Sequence, residues 1–289
     1  MLSDLYISKV LMKTPVDPKS YFAALPAVRG LYGGRGLPAG RDLSAGRESA
    51  ADRESAADRE SDAGRGLEFL SRVTFFVGEN GTGKSTLLEA IAVAYGFNPE
   101  GGSKNYRFAT AESHSGLWEN LTLVKHRFPK DGFFLRAESF YNVASYIDEL
   151  DAEPAGTPPL ITNYGGQSLH RQSHGESFMA LIRNRFGGHG LYLFDEPEAA
   201  LSPMRLFELL AEIKRLVDLD SQLIIATHSP ILLAFPGAEI LEFSENGIKE
   251  IAYRDTEHYQ TTLRFLENPD KMLRAIFGDE EPDGIPGDQ

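Results

Sequence analysis

The distribution of apolar and polar positions along this chain predicts a sheet of buried strands interleaved with amphipathic helices. Continuous apolar or β-branched runs, which are typical of strands buried on both faces, occur at residues 73–77, 191–194 and 222–226. Less regular strand patterns occur at 5–11, 121–124, 132–136, 240–243 and 248–251, the last two flanking an Asn246-Gly247 turn. Helical spacing of apolar residues occurs at 87–94, 141–150, 177–186, 204–216 and 261–277. Strands that alternate with helices in this way predict an α/β fold.

A glycine-rich motif lies between the strand at 73–77 and the helix that follows it. Its sequence, G-E-N-G-T-G-K-S-T, fits the phosphate-binding pattern G-x-x-x-x-G-K-[ST]. The glycines let backbone N–H groups turn toward phosphate oxygens, while Lys84 is expected to reach the β- and γ-phosphates and Ser85 to ligate Mg²⁺. The residues expected to bind nucleotide here are Gly78, Glu79, Asn80, Gly81, Thr82, Gly83, Lys84, Ser85 and Thr86. The chain is therefore predicted to bind a nucleoside triphosphate.

Two further strand ends carry candidate catalytic groups. Asp195 and Glu196 follow the apolar strand 191–194, and ligands of α/β sheets bind at the carboxyl ends of strands. We expect Asp195 to hold Mg²⁺, directly or through water, and Glu196 to polarise the attacking water as a general base; the alternative is a solvated acidic turn. His228 follows the strand 222–226, where it can hydrogen-bond a γ-phosphate; the alternative is a core or loop histidine with a structural role.

Composition narrows the class of protein. The 289 residues include 29 basic and 42 acidic side chains, a net charge of −13, which excludes a uniformly basic nucleic-acid-binding surface. The absence of cysteine excludes disulfides, thiol chemistry and Cys-ligated metal sites. No apolar run approaches a membrane-spanning length, and the first residues lack the features of a signal peptide. The expectation is a soluble, cytoplasmic protein without direct membrane insertion.

Residues 33–65 differ from the rest of the chain because arginine recurs at every sixth position. Near-copies of one unit, such as A-D-R-E-S-A, surround these arginines and contain no large apolar residue, so they cannot bury a face. We predict a low-complexity, solvated insert, with an interaction arm as the alternative. The acidic tail at 279–289 is likewise predicted to be disordered.

A second turn of small residues, S-H-G-E-S at 173–177, precedes a predicted helix and is a potential anion site. The order of P-loop, this turn, acidic strand end and histidine is that of ABC-type ATPase heads. The chain resembles the small stand-alone ABC-like ATPases known as predicted AAA ATPases. Their relatives are the heads of chromosome-maintenance and DNA-repair ATPases and the overcoming-lysogenisation-defect nucleases. The resemblance covers residues 1–30 and 66–275 and rests on G-E-N-G-T-G-K-S-T, S-H-G-E-S, F-D-E-P-E-A-A-L-S-P and A-T-H-S-P.

This resemblance implies an ABC-type head over residues 1–278. Its parts would be a mostly parallel core sheet, an N-terminal antiparallel β-layer and a small helical lid insertion at about 97–175. It also implies a composite site in which Ser173 and the backbone of Gly175 cap the γ-phosphate held on the P-loop of another protomer. ATP is therefore expected to induce a homodimer, with residues 200–203 crossing its seam.

The chain departs from the family pattern in the turn at 173–177 and in the lid. His174 and Gln172 replace residues that are Gly and Leu in the common L-S-G-G-Q/E form, which bears on the geometry of the cap. Glu138 is the candidate for the usual lid glutamine.

The motifs and the resemblance together predict Mg²⁺-dependent hydrolysis of ATP, with Lys84, Glu196 and His228 as catalytic residues. What hydrolysis drives stays open. One hypothesis is a switch in DNA repair, genome maintenance or defence, with DNA or a protein as partner. A second is the ATPase subunit of a transporter, and a third is a nucleotide-dependent partner of a nuclease or toxin. The F-D-E-P-E run resembles the repair and nuclease relatives more than transporter subunits.

Overall fold

The computed structural model describes residues 4–13, 16–33, 66–103, 115–152, 161–162, 166, 169–171 and 173–278. Nearly all of the low-complexity insert, Gln172 and the acidic tail lie outside the described residues, so what the sequence suggests for them stays a prediction. Within the described ranges, no helix combines the length and the apolar character needed to cross a bilayer.

The larger of two sheets has six strands in the order β5-β6-β7-β3-β8-β9. Its strands are β3 (Val73–Gly78), β5 (Asp131–Arg136), β6 (Gly190–Asp195), β7 (Gln222–Ala226), β8 (Glu239–Ser244) and β9 (Gly247–Glu250). Neighbouring strands are parallel except β8 and β9, which form an antiparallel hairpin. The mostly parallel core sheet and the late hairpin are therefore confirmed.

The smaller sheet is the expected antiparallel layer. It contains β1 (Ile7–Met12), β2 (Leu67–Glu68) and β4 (Leu121–Lys125), and β1 pairs antiparallel with both neighbours. β4 and β5 lie within residues 97–175, the range expected to be a helical insertion. Among the described residues of that range, a short 3₁₀ helix at Gly116–Asn120 precedes β4, and the first α-helix begins at Phe140, after β5.

Helices cover both faces of the larger sheet. They are α1 (Pro26–Gly33), α2 (Lys84–Tyr95), α3 (Phe140–Ala152), α4 (His174–Arg185), α5 (Pro203–Asp218), α6 (Pro230–Leu233), α7 (Glu257–Glu267) and α8 (Pro269–Phe277). The prediction of one final helix over 261–277 is wrong. The chain breaks at Asn268, because Pro269 lacks the N–H that would continue α7, and the Asn268 side chain caps α8 by accepting from the Lys271 N–H.

The larger sheet is sandwiched between two apolar layers. Phe75 of β3 packs with apolar residues of α3, α4 and α5, whereas Phe76 points to the other face and packs with α1, α2 and the smaller sheet. Both rings are fully buried. Because a parallel sheet covered on both faces has no polar side, its strand ends are where it presents polar groups.

Gln222, the first residue of β7, joins the two sheets through its side chain. Its Oε1 accepts hydrogen bonds from the backbone N–H groups of Tyr6 and Ile7 at 2.8 and 2.9 Å, and its Nε2 donates to the Ile7 carbonyl at 2.8 Å. Gln222 is only 1% exposed, so water cannot replace it as a partner for these backbone groups.

Replacing Gln222 with Leu is therefore expected to lower the free energy of unfolding by about 2–4 kcal/mol, because three buried backbone groups lose their partners. Denaturant unfolding followed by circular dichroism measures the change. Gln260→Leu is the matched control, since its side chain donates a long, 3.4 Å hydrogen bond at the surface. That control should shift stability by less than about 0.5 kcal/mol. Equal effects of the two variants would show that Gln222 does not support β1.

Candidate nucleotide-binding and catalytic site

The candidate residues meet where three adjacent parallel strands end. Phe76 of β3, Ala226 of β7 and Asp195 of β6 are direct neighbours in the register of the sheet. The P-loop (residues 78–86), the segment after β7 and the acidic segment after β6 therefore leave the sheet side by side. This is the edge at which the sequence placed them.

The P-loop has the backbone conformation that its glycines allow. Gly78 has φ 136°, and a Cβ there would lie 2.2 Å from the Phe243 carbonyl oxygen. Gly83 has φ 92° and caps α2, and a Cβ there would lie 3.0 Å from the Cβ of Ala27. Any other residue at these positions would be strained and would collide with its neighbours.

The remaining residues of the P-loop form the turn between these glycines and the first turn of α2. Asn80 and Gly81 lie at the tip, and Thr82 closes the turn by donating its hydroxyl hydrogen to the Glu79 carbonyl at 2.8 Å. Ala27 donates its N–H to the Thr82 carbonyl at 3.0 Å, which ties α1 to the loop. Ser85 and Thr86 follow Lys84 in the first turn of α2.

Lys84 is buried within the loop that precedes it. Its ammonium donates to the carbonyl oxygens of Gly78 at 2.7 Å and Glu79 at 2.8 Å. Burial lowers the pKa of Lys84, while the nearby carboxylates of Glu196 and Asp195 act in the opposite direction. A buried cation with a lowered pKa beside two carboxylates is the kind of perturbed ionisable group that marks a candidate functional site.

Asp195 ends β6 with a carboxylate that is almost completely buried. Burial raises its pKa to about 6, although Arg136, 3.4 Å away, and a hydrogen bond from the Ser85 hydroxyl favour the ionised form. Its Oδ1 finds no hydrogen-bond partner among the residues that the structure describes. A buried carboxylate oxygen left unpaired beside a serine hydroxyl matches the hard oxygen ligands that Mg²⁺ prefers, so Ser85 and Asp195 fit the predicted metal.

Arg136, which the sequence did not single out, connects this acid to α2. Its guanidinium lies 2.7 Å from the Glu89 carboxylate and 3.4 Å from that of Asp195. Glu138, the candidate lid residue, is exposed in the turn after β5 and is close enough to raise the pKa of Asp195.

Glu196 occupies an unusual backbone conformation beside His228. Its φ of 49° and ψ of 52° lie in the left-handed region, which costs a non-glycine residue free energy and is typical of functional sites. The backbone is fixed by the Glu196 N–H, which donates to the Ala226 carbonyl at 3.0 Å. The side chain is 41% exposed, and its Oε1 lies 3.8 Å from Nε2 of His228.

His228 is held on two sides. Its backbone N–H donates to the carboxylate of Glu198, and its ring Nδ1 lies 2.8 Å from Nε2 of His258. Burial, together with the nearby Lys84 and His258, lowers the pKa of His228 to about 4. The imidazole is therefore neutral near pH 7.

Glu198 and His258 are site residues that the sequence analysis missed. Glu198 is the last acid of the D-E-P-E run, and burial raises its pKa. Its position in that run could have marked it. His258 lies in the first turn of α7, and a lone histidine thirty residues beyond the motif gives no sequence signal.

The signature turn (residues 173–177) is pre-organised at the start of α4. The Glu176 carboxylate accepts from the Ser173 N–H at 3.1 Å and from its hydroxyl at 2.7 Å, which forms half of a capping box. A Cβ on Gly175 would lie 3.2 Å from the Ala200 carbonyl and 3.0 Å from Cδ of Arg205, so the turn packs directly against these two residues. The His174 ring packs edge-on against Phe140, with centroids 5.7 Å apart.

The order of these groups along the sheet defines the class of protein. β7, which carries the histidine, lies between the P-loop strand β3 and the acid strand β6, so that His228 is placed between Lys84 and Glu196. The P-loop and this strand order in a mostly parallel sheet give the chain the α/β fold of a P-loop NTPase, as the sequence analysis expected.

Comparison with known proteins confirms the predicted resemblance. A family model described as "AAA domain" matches residues 63–139, and one described as "AAA domain, putative AbiEii toxin, Type IV TA system" matches residues 175–234. The first match contains the P-loop, and the second contains Gly175, Asp195 and His228. Two separate parts of the chain are thus similar to AAA-labelled domain families.

Three individual proteins to which the chain is similar have a sequence identity of 27% or less with it. The ribose import ATP-binding protein RbsA of Yersinia pestis is 27% identical over 229 residues, which cover 73% of this chain and 42% of RbsA. The chain thus spans less than half the length of the curated relatives it matches. The SMC head domain from Thermotoga maritima is 16% identical with a TM-score of 0.36, covering 65% of this chain and 94% of that one. For cbiO1 from Clostridium perfringens, part of the ABC transporter complex cbiONQ, identity is 16%, the TM-score 0.40 and the coverage 74% and 91%.

Replacing Asp195 with Asn is expected to raise the free energy of unfolding by about 1–3 kcal/mol near pH 7.5 without Mg²⁺. Because the folded-state pKa is raised from 3.8 to about 6, the folded chain binds the proton more tightly than the unfolded chain. The resulting stability is complete below the unfolded pKa and is lost as pH rises through about 6. Denaturant unfolding of both proteins at acid and neutral pH checks this, and the gain should vanish at acid pH.

Asp131→Asn is the matched control and should have the opposite sign. Burial alone would raise the pKa of Asp131, but the Arg185 guanidinium at 2.8 Å and hydrogen bonds from Tyr192 and the Gly187 N–H hold it below its usual value. Its ionised form stabilises the fold above the unfolded pKa, so the variant should be destabilised near neutral pH. Destabilisation by Asp195→Asn as well would contradict the account of Asp195.

Proposed function

We propose that this chain binds ATP with Mg²⁺ and hydrolyses it to ADP and phosphate. The observation that carries the proposal is the convergence of Lys84, Asp195, Glu196 and His228 at the ends of three adjacent strands. Phosphoryl transfer to water depends on positioning and charge, which these four groups can supply together. ATP as the nucleotide is supported by the likeness to RbsA, whose name describes an ATP-binding protein.

In this proposal the P-loop amides and Lys84 bind the β- and γ-phosphates. The Lys84 ammonium exchanges its hydrogen bonds to the Gly78 and Glu79 carbonyls for bonds to phosphate oxygens. Ser85 and Asp195 are the residues that would hold Mg²⁺, which neutralises charge on the phosphate oxygens when bound. The unpaired Oδ1 of Asp195 supports this assignment.

Glu196 and His228 act on the water and the γ-phosphate. Glu196 is the partly exposed acid of the pair and accepts the proton of the attacking water as a general base. His228, neutral near pH 7, donates a ring N–H to a γ-phosphate oxygen. Their side chains lie 3.8 Å apart, which supports the proposal that both act at one reacting centre.

We further propose that ATP binding brings two copies together, with the signature turn of one capping the nucleotide of the other. Exposed Ser173 and the adjoining N–H groups stand at the start of α4, where the helix dipole favours an anion. Gly175 supports the same interface by packing on Ala200. His174 need not block the cap, since its ring is packed on Phe140.

Two observations favour different cellular processes that ATP hydrolysis by this chain could drive. The match of residues 175–234 to a family described by a toxin of a type IV system favours genome maintenance or defence, with DNA or a protein as partner. The likeness to RbsA favours a transporter subunit. Stimulation of turnover by duplex or single-stranded DNA would support the first process, whereas co-purification with a membrane protein would support the second.

Glu196→Gln is expected to retain ATP binding and to lower the turnover number by about 10²–10⁴-fold, because the general base is lost while the charge and shape of the P-loop are kept. Phosphate release and equilibrium binding of a fluorescent ATP analogue measure the two effects. Glu245→Gln, at the exposed turn between β8 and β9, is the control and should leave both unchanged. Wild-type turnover in Glu196→Gln would remove this residue from the mechanism.

The dimer is tested by light scattering on Glu196→Gln, with and without Mg²⁺-ATP. We expect a change from monomer to dimer on ATP addition, and we expect Ser173→Arg in the same background to abolish it by filling the cap. Thr122→Arg, an exposed position on β4, is the control and should still dimerise. A Glu196→Gln protein that binds ATP and stays monomeric would contradict the composite site.

A further inference from the structure

His258 is the one residue of α7 that reaches the candidate site through a ring contact. Its Nε2 lies 2.8 Å from Nδ1 of His228, and the two ring centroids are 5.0 Å apart. None of the residues of α7 is fully buried, so the contact is not a by-product of core packing. The sequence motifs do not account for this pairing.

The first turn of α7 is fixed in place around His258. Thr256, which is fully buried, donates its hydroxyl hydrogen to the Tyr253 carbonyl at 2.8 Å and accepts from the Tyr259 N–H at 3.3 Å. The rings of Tyr253 and Tyr259 pack on each other with centroids 4.7 Å apart. The imidazole of His258 is thereby presented to His228 by an anchored turn and not by a free helix end.

The two rings share one hydrogen bond, and its direction decides which nitrogen of His228 carries the proton. A neutral imidazole has one N–H, so it donates from one nitrogen and accepts at the other. Nε2 of His228 faces the anionic side of the site, 3.8 Å from Oε1 of Glu196, and has no hydrogen-bond partner within the described part of the chain. A proton on Nε2 is favoured there, because it points at negative charge, and Nδ1 must then accept.

We propose that His258 is a positioning residue that donates its Nε2–H to Nδ1 of His228 and so holds His228 in the tautomer whose Nε2–H faces the phosphate site. The Glu198 carboxylate fixes the backbone of His228 and His258 fixes its ring, so both the place and the direction of the donor are set. This role is the one that a second hydrogen-bonding partner serves for functional histidines in general. The expected effect of His258 on catalysis rests on the proposed function, whereas the predicted tautomer of His228 does not depend on it.

Two substitutions of His258 separate its hydrogen bond from its bulk. His258→Phe keeps a ring of similar size without a donor, whereas the amide nitrogen of His258→Gln can reach the position of Nε2. We expect His258→Phe to lower kcat by about 10- to 100-fold with little change in KM for Mg²⁺-ATP, and His258→Gln to recover most of the loss. Glu257→Gln, the exposed neighbour, is the control and should behave as wild type.

The tautomer is measured directly on ¹⁵N-labelled wild-type protein from the ring nitrogen shifts of His228, assigned with His228→Gln. We expect Nε2 protonated and Nδ1 unprotonated in the wild type, and a loss of this preference in His258→Phe. A proton on Nδ1 in the wild type would overturn the proposal even if every variant misfolded. Wild-type kcat and an unchanged tautomer in His258→Phe would overturn it as well. If the wild type hydrolyses no ATP, the proposed function fails while the tautomer experiment still tests His258.

Discussion

The site depends on the parallel pairing of β3, β7 and β6. Parallel strands in register end at the same edge of a sheet, so the three segments that follow them must emerge side by side. Antiparallel insertion of any one strand would carry its loop to the opposite edge. The apolar layers on both faces of the sheet keep this pairing fixed, because a one-residue slip would exchange the faces that Phe75 and Phe76 occupy.

The burial that stabilises the larger sheet also carries a free-energy cost for the charged groups at the carboxyl ends of its strands. Lys84 and Asp195 are nearly inaccessible to solvent, and Glu196 has a left-handed backbone. Burial of the Lys84 and Asp195 charges is unfavourable in isolation, and in the proposed function a bound polyanion and cation would offset this cost.

The sequence predicted the parts of the site that are encoded locally. Asp195 ends an apolar strand, His228 follows one within two residues, and Lys84 belongs to the glycine-rich motif after a third, so a strand pattern and its next few residues suffice to find them. Arg136 and His258 depend on contacts between distant segments, and nothing within their own neighbourhoods distinguishes them from surface residues. Glu198 was missed although its position in the D-E-P-E run could have marked it. The break between α7 and α8 is also encoded locally, because the N–H missing from Pro269 forbids a continuous helix, yet the sequence analysis predicted a single helix there.

The contact between the two sheets through Gln222 could not be predicted from the local sequence either. Gln222 begins an apolar strand, where a polar residue looks like an ordinary strand end, yet its side chain completes the backbone bonding of β1. The Gln222 side chain takes the place of a neighbouring strand as a hydrogen-bond partner for the backbone of β1. Its role therefore depends on a segment that lies more than two hundred residues away in the sequence.

In the signature turn, a carboxylate of the chain itself already occupies the position expected for an anion. The Glu176 carboxylate already takes the hydroxyl and the N–H of Ser173, and Arg205 stands 3.4 Å from its other oxygen. In the proposed dimer, an anion at this turn would compete with the Glu176 carboxylate for the hydroxyl and N–H of Ser173, and Arg205 would offer the displaced carboxylate a partner. Such a competition within one protomer would weigh against weakly charged anions.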